Sequence, residues 1–111
     1  MKKEDFVYLK HILDAIYLIE EYASEINLDN FLKTRLVQDA IIRQIEIIGE
    51  ATKRLSDDTK SKYAEIPWKD MAGMRDKLIH NYFGVDIDAV WKTTTKDIPL
   101  LKIQIKNIIE E

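Results

Sequence analysis

The chain has 111 residues and no cysteine. That single absence excludes disulfide scaffolds, thiol redox chemistry, Cys-based zinc sites and cysteine nucleophiles together. Glycine and proline are also scarce, at three and two residues, which rules out collagen-like and linker-like chains. With 46% hydrophobic and 33% charged residues, the composition does not fit a disordered chain either. Long hydrophobic runs are missing: nothing approaches the roughly 18 uncharged apolar residues that a membrane span needs. The N-terminus, Met1-Lys2-Lys3-Glu4-Asp5, leads into an apolar pattern cut by charges rather than into a secretion signal. The expected location is therefore cytoplasmic, with no membrane association.

Recognised enzyme motifs are largely absent as well. The sequence holds no glycine-rich phosphate loop, no His-Glu-x-x-His, no Gly-x-Ser-x-Gly and no EF-hand loop. Its two histidines, His11 and His80, are not preceded at three residues by glutamate, as a di-iron bundle would require. Glu46 and Glu50 lie four apart and can face one partner, but a solvated or salt-bridged pair is the plainer reading. No metal and no cofactor are expected.

What is present fits one domain spanning residues 1–111. Surface-to-mass scaling leaves roughly 6,400 Å² exposed after folding against about 19,000 Å² unfolded, enough for a modest core. The net charge of −3 is not that of a general nucleic-acid binder. Its distribution is uneven: residues 1–32 carry −4, residues 33–81 carry +2 and residues 82–111 carry −1. A polyanion site would have to be built locally in the central third.

Apolar positions recur at helical spacing almost throughout. Phe6, Leu9, Leu13, Ile16, Ile19 and Ala23 mark a first amphipathic helix. Asn27 or Asp29 can cap a second helical region, in which Phe31, Val37, Ile41, Ile45, Ile48 and Leu55 form one stripe and Leu36, Ala40, Ile47 and Ala51 widen it. Gly49 sits inside that helix at a cost of about 1 kcal/mol relative to Ala, which a close helix crossing would offset. Pro67 suits the first turn of a third helix running to about His80 or Asn81. Asp86 can cap a fourth, containing Ile87, Val90, Trp91, Ile98, Leu101, Ile105 and Ile108, which Pro99 is expected to kink. The predicted architecture is all-α: an up-and-down four-helix bundle with short extra helical turns. The abundance of isoleucine on wide faces predicts a homodimer with an isologous interface.

Residues 75–86, RDKLIHNYFGVD, gather unlike polar groups where a helix should end. Arg75 and His80 stand about 140° apart around a helix, close enough for an arginine's reach to bring both onto one phosphate. Arginine offers a fixed fork of donors for phosphate oxygens and for developing charge. Histidine moves protons near neutral pH, and the Tyr82 phenol can hydrogen-bond, stack or accept a transferred group. From the residues alone, a surface ion pair for Arg75, a helix-terminal cation for His80 and a packing aromatic for Tyr82 are the plainer readings.

The string resembles the Arg-x4-His-x-Tyr motif of HepT-like toxins in the HEPN superfamily, with Arg75, His80 and Tyr82 at its three positions and Asp76 as the polar residue after the arginine. The likeness extends to residues 45–56 (IEIIGEATKRLS), 66–86 (IPWKDMAGMRDKLIHNYFGVD), Val90-Trp91 and Asp97-Ile98-Pro99, and so covers nearly the whole chain. It implies an HEPN-like bundle and a metal-independent endoribonuclease whose cleft is shared by a homodimer. It further implies the toxin of a type VII toxin–antitoxin pair, silenced when an MntA-like nucleotidyltransferase antitoxin moves AMP from ATP onto Tyr82. Arg75 and His80 would be catalytic, with Asp76 and Glu50 in support and Lys53, Arg54, Lys69 and Lys77 as candidate contacts to the RNA backbone. The alternative is a non-catalytic helical protein that binds a nucleotide or serves as adaptor to a nucleotidyltransferase.

Overall fold

Leu9, Ile12, Ile16 and Ile19 recur at three- and four-residue steps, and all four are fully buried along one face of helix α1 (Lys3–Ala23). The structure is a computed structural model that describes residues 1–74 and 84–111, together with the backbone of residues 79–80. Helix α2 (Leu28–Lys33) starts at Asn27, whose side chain accepts from the Asn30 amide at 2.9 Å. The expected continuous second helix is interrupted here. Thr34 leaves helical geometry (φ −115°, ψ 88°), and buried Gln38 donates to the Phe31 and Leu32 carbonyls at 2.8 and 3.2 Å. Those contacts satisfy carbonyls that a helix end would otherwise leave open, so the break is stable. The interruption also shifts the phase of the next helix: Leu36, expected to widen the apolar stripe, is 80% exposed.

Helix α3 (Arg35–Arg54) buries Ile41, Ile45 and Ile48 against α1. Ser56 then caps the short α4 (Asp57–Lys62). The α3–α4 corner is tied to α1 by Asp5, which is only 2% exposed. Its carboxylate accepts from the Ser56 amide (2.9 Å), the Ser56 hydroxyl (2.5 Å) and the Thr59 hydroxyl (2.7 Å). Burial by itself would raise the Asp5 pKa, but the hydrogen bonds from Ser56 and Thr59 outweigh it and hold the pKa below the usual aspartate value.

Pro67 precedes α5 (Trp68–Ala72), and the Trp68 indole N–H donates to the Tyr63 carbonyl at 3.0 Å. The expected third long helix does not form as a continuous element. α5 ends at Gly73, and Ile79–His80 (β1) pairs antiparallel with Gly84–Val85 (β2), Ile79 opposite Val85 and His80 opposite Gly84. Backbone groups committed to that ladder cannot also close helical turns.

Beyond Asp86, which caps through a 3.0 Å contact to the Ala89 amide, α6 (Ile87–Lys92) runs through a π-helical turn at Thr93–Asp97 into α7 (Ile98–Ile109). The disruption expected from Pro99 takes this form rather than a simple kink. Proline has no amide to close onto the carbonyl four residues back, and the Ile98 amide reaches back five residues to the Thr93 carbonyl. Among the described residues the fold is thus all-α, as expected, with one two-residue ladder between β1 and β2. α1 packs on both α3 and α7. Val90, Ile98, Leu101, Ile105 and Ile108 complete the core.

Gly49 meets the close crossing expected of it. A Cβ placed there would lie 3.4 Å from the Ala72 carbonyl oxygen and 3.5 Å from that of Met71, so α5 presses its last turn against bare α3 backbone. Gly49→Ala makes only ordinary contacts and should be neutral or stabilising by up to about 1 kcal/mol, whereas Gly49→Val should cost about 1–3 kcal/mol by forcing α5 away; urea denaturation of both variants measures the pair. Asp5→Ala orphans three donors and should cost about 2–4 kcal/mol at pH 7. Because the folded pKa lies below the unfolded one, the Asp5 contribution is complete above about pH 4. It fades as the pH falls through the folded value, so the gap between wild type and variant should narrow in denaturation curves taken at low pH.

Candidate active site

The described residues on either side of the 75–83 stretch lie beside helix α3. Upstream, Ala72 abuts Gly49. Downstream, Gly84, Val85 and Ile87 form a recess of about 280 Å³ with Arg35, Gln38, Asp39 and Ile42. Ile42 and Gly49 are seven residues apart, so they share one helical face and are separated by about 10 Å along the axis. Glu46 and Lys53, at four-residue steps from Ile42 and Gly49, fall on that same face. Glu46 is half-buried and already engaged by a partner.

Arg75, Asp76, Lys77 and Tyr82, and the side chain of His80, lie outside the described residues. The backbone of His80 pairs with Gly84. Glu50, expected to brace Arg75, is exposed, and its carboxylate stands 3.4 Å from the Lys53 ammonium. Of the expected RNA-backbone contacts, Lys53, Arg54 and Lys69 are all exposed.

Next to this face, a groove of about 300 Å³ runs between α1 and α3, with Tyr8, His11, Arg43, Glu46, Glu50 and Arg54 along it. The Tyr8 and His11 rings lie 6.4 Å apart. Two guanidinium groups and an aromatic pair are what a phosphate backbone and a base would contact, while the two carboxylates limit the charge. His11, Tyr8 and Arg43 were not among the residues expected here. Their spacing places Tyr8 and His11 together on α1, but only the packing of α1 on α3 brings Arg43 and Arg54 to them.

Away from these grooves the Tyr63 hydroxyl donates to Glu111, and that hydrogen bond, followed by burial, pushes the phenol pKa up. Among the described residues, no cluster of three or more acidic or histidine side chains could hold a metal ion, and no helix is long and apolar enough to cross a membrane.

The ribonuclease HepT-like family profile matches residues 12–108. The chain is 53% identical over 102 residues to a protein of Thermococcus cleftensis named as the ribonuclease HepT, covering 92% of this chain and 93% of that one. It is 51% identical over 111 residues to a Methanocaldococcus jannaschii protein named as a gamma-glutamylcyclotransferase and candidate RNase. All of this chain is matched there, but it spans only 50% of that protein's length. A candidate RNase of Caldanaerobacter subterraneus is 43% identical over 104 residues, 94% of this chain and 93% of its own length. No solved structure matches the chain. The motif string falls within the matched span, and the chain belongs to the ribonuclease HepT-like family, whose enzyme class is endoribonuclease.

Proposed function

We propose that this endoribonuclease cuts RNA without a metal ion, through Arg75 and His80, and that it is the toxin of a toxin–antitoxin pair. The observation that carries this reading is the Arg-x4-His-x-Tyr string at residues 75–82 inside a family match spanning residues 12–108. The position of the residues flanking the segment, beside α3, supports it.

In the proposed reaction the RNA 2′-hydroxyl attacks the adjacent phosphorus. A base removes the 2′-proton, an acid protonates the departing 5′-oxygen, and donors stabilise the charge that builds on the phosphoryl oxygens. The products are a 2′,3′-cyclic phosphate and a 5′-hydroxyl. Arg75 takes the third role. One chain brings one motif imidazole, so a homodimer sharing its cleft would supply His80 twice, once as base and once as acid. Most isoleucines are consumed by the chain's own core, which removes isoleucine abundance as a reason for expecting a dimer. A different set supports it: Leu28 (39%), Leu32 (46%) and Leu36 (80%) stay exposed on α2 and the first turn of α3. Asp76 orients Arg75 or His80. On α3, Glu50 braces the arginine.

An MntA-like nucleotidyltransferase is the proposed antitoxin. The Tyr82 phenolate oxygen attacks the α-phosphorus of ATP, pyrophosphate leaves, and a phosphodiester-linked AMP remains. The added nucleotide fills the RNA path and its phosphate competes for Arg75, so silencing needs no change of fold. An RNA substrate implies a cytoplasmic location.

Purified protein incubated with total RNA in EDTA should produce 2′,3′-cyclic phosphate ends. His80→Ala should lower the rate by at least about 10²-fold and Arg75→Ala by about 10²–10³-fold. Full cleavage by His80→Ala would remove the mechanism, and intact RNA in every sample would favour the adaptor alternative. With ATP and an MntA-like nucleotidyltransferase, wild type should become AMP-labelled and inactive, whereas Tyr82→Phe should stay unlabelled and active.

A further inference from the structure

The π turn gives one wall to a groove of about 410 Å³ between α5 and α7. Met71, Met74, Leu100 and Leu101 form its apolar surface, and Glu65, Asp70, Thr93, Asp97 and Gln104 supply the polar groups. Among the described residues lining it there is no lysine or arginine.

Thr93 sets this groove apart from an ordinary surface dent. The hydroxyls of its neighbours Thr94 and Thr95 donate to the carbonyls four residues back, Val90 and Trp91, each at 2.9 Å. Among the described residues the Thr93 hydroxyl has no hydrogen-bond partner, although the residue is only 8% exposed. Every sealed polar side-chain atom among the described residues has a partner, so this hydroxyl must open onto the groove. Water in the groove can meet this hydroxyl, and a polar group of a bound segment would take that water's place. Glu65 and Asp97 are exposed and form no ion pair among the described residues; Asp70 already has a partner and is not needed.

We infer that this groove is a docking site for a basic, amphipathic segment of a partner protein. One bulky aliphatic or aromatic side chain would seat on Met71, Met74 and Leu101, a lysine or arginine would meet Glu65 and Asp97, and Thr93 would hydrogen-bond the incoming segment. A protein segment fits better than a small cation because the apolar surface continues past the groove. Leu100 and Ile103 are 59% and 58% exposed and, three residues apart, share one face of α7; a small ligand would leave that strip in water, whereas a helix laid along it would cover it. The acidic lining does not suit RNA, and the inference does not rest on the proposed cleavage reaction.

The probe is a fluorescein-labelled amphipathic Leu/Lys peptide of about four helical turns, with a Leu/Glu peptide as counterpart. Anisotropy titrations of the intact protein should show saturable binding of the first and little of the second. Amide shift perturbations should centre on Thr93, Asp97 and the stretch from Leu100 to Gln104. Glu65→Gln/Asp97→Asn should weaken binding about tenfold and Thr93→Val about threefold, while Asp14→Asn/Asp29→Asn, which removes equal charge elsewhere, should not. Equal weakening by both double variants, or shifts centred away from the groove, would overturn the inference. So would n-butylammonium producing the same shifts at comparable affinity, which would make this a small-cation pocket. Loss of self-association in Glu65→Gln/Asp97→Asn would assign the groove to a second copy instead.

Discussion

Everything near the proposed active site depends on how closely α5 can approach α3, and a missing side chain at Gly49 sets that approach. The carbonyl oxygens of Met71 and Ala72 stand at ordinary contact distance from where its Cβ would be. A larger residue would move the last turn of α5 outward and, with it, the start of the segment that carries Arg75. Alanine would still meet only ordinary contacts there, so what the crossing excludes is a branched or longer side chain. At the other end of the segment, Gly84, Val85 and Ile87 return to the same face of α3 beside Ile42.

A rigid α3 needs its own support, and Asp5 provides it. Its carboxylate holds the α3–α4 corner to the first turn of α1 through one amide and two hydroxyls. A buried charge of this kind is tolerable only when its lone pairs are met, which is why the Ser56 and Thr59 donors matter more than any nearby cation. The same capping serine starts α4, so a single cluster ends one helix, begins another and joins both to the core helix. The groove holding His11, Arg43 and Arg54 lies between the two helices this cluster fastens together.

The turn between α6 and α7 obeys a different logic. Pro99 denies α7 one backbone hydrogen bond, and the chain accommodates this by widening one turn between α6 and α7. Beside that turn lies a groove whose acidic lining contrasts with the guanidinium groups along the α1–α3 groove. A net charge of −3 therefore averages over two surfaces of different character, one suited to phosphate and one to basic groups.

The sequence by itself determined the all-α class, the caps at Asn27 and Asp86, the close crossing at Gly49 and the family to which the motif string belongs, because each depends on local spacing or on a few neighbouring residues. Periodicity also located Ile16, Ile41, Ile48, Leu101 and Ile105 in the core. What it could not reveal were features settled between distant residues. Thr34 and Gln38 split a continuous apolar pattern into α2 and α3 because the side chain of Gln38 satisfies carbonyls seven and six residues earlier. The burial of Asp5 depends on donors about fifty residues away, and helical periodicity alone assigns a first-turn aspartate to solvent. The pairing of Ile79–His80 with Gly84–Val85 overrode the helical reading of that stretch, and only the packing of α1 on α3 set His11 beside Arg43 and Arg54. Local propensity chose the helices; the contacts between them decided which polar groups could act together.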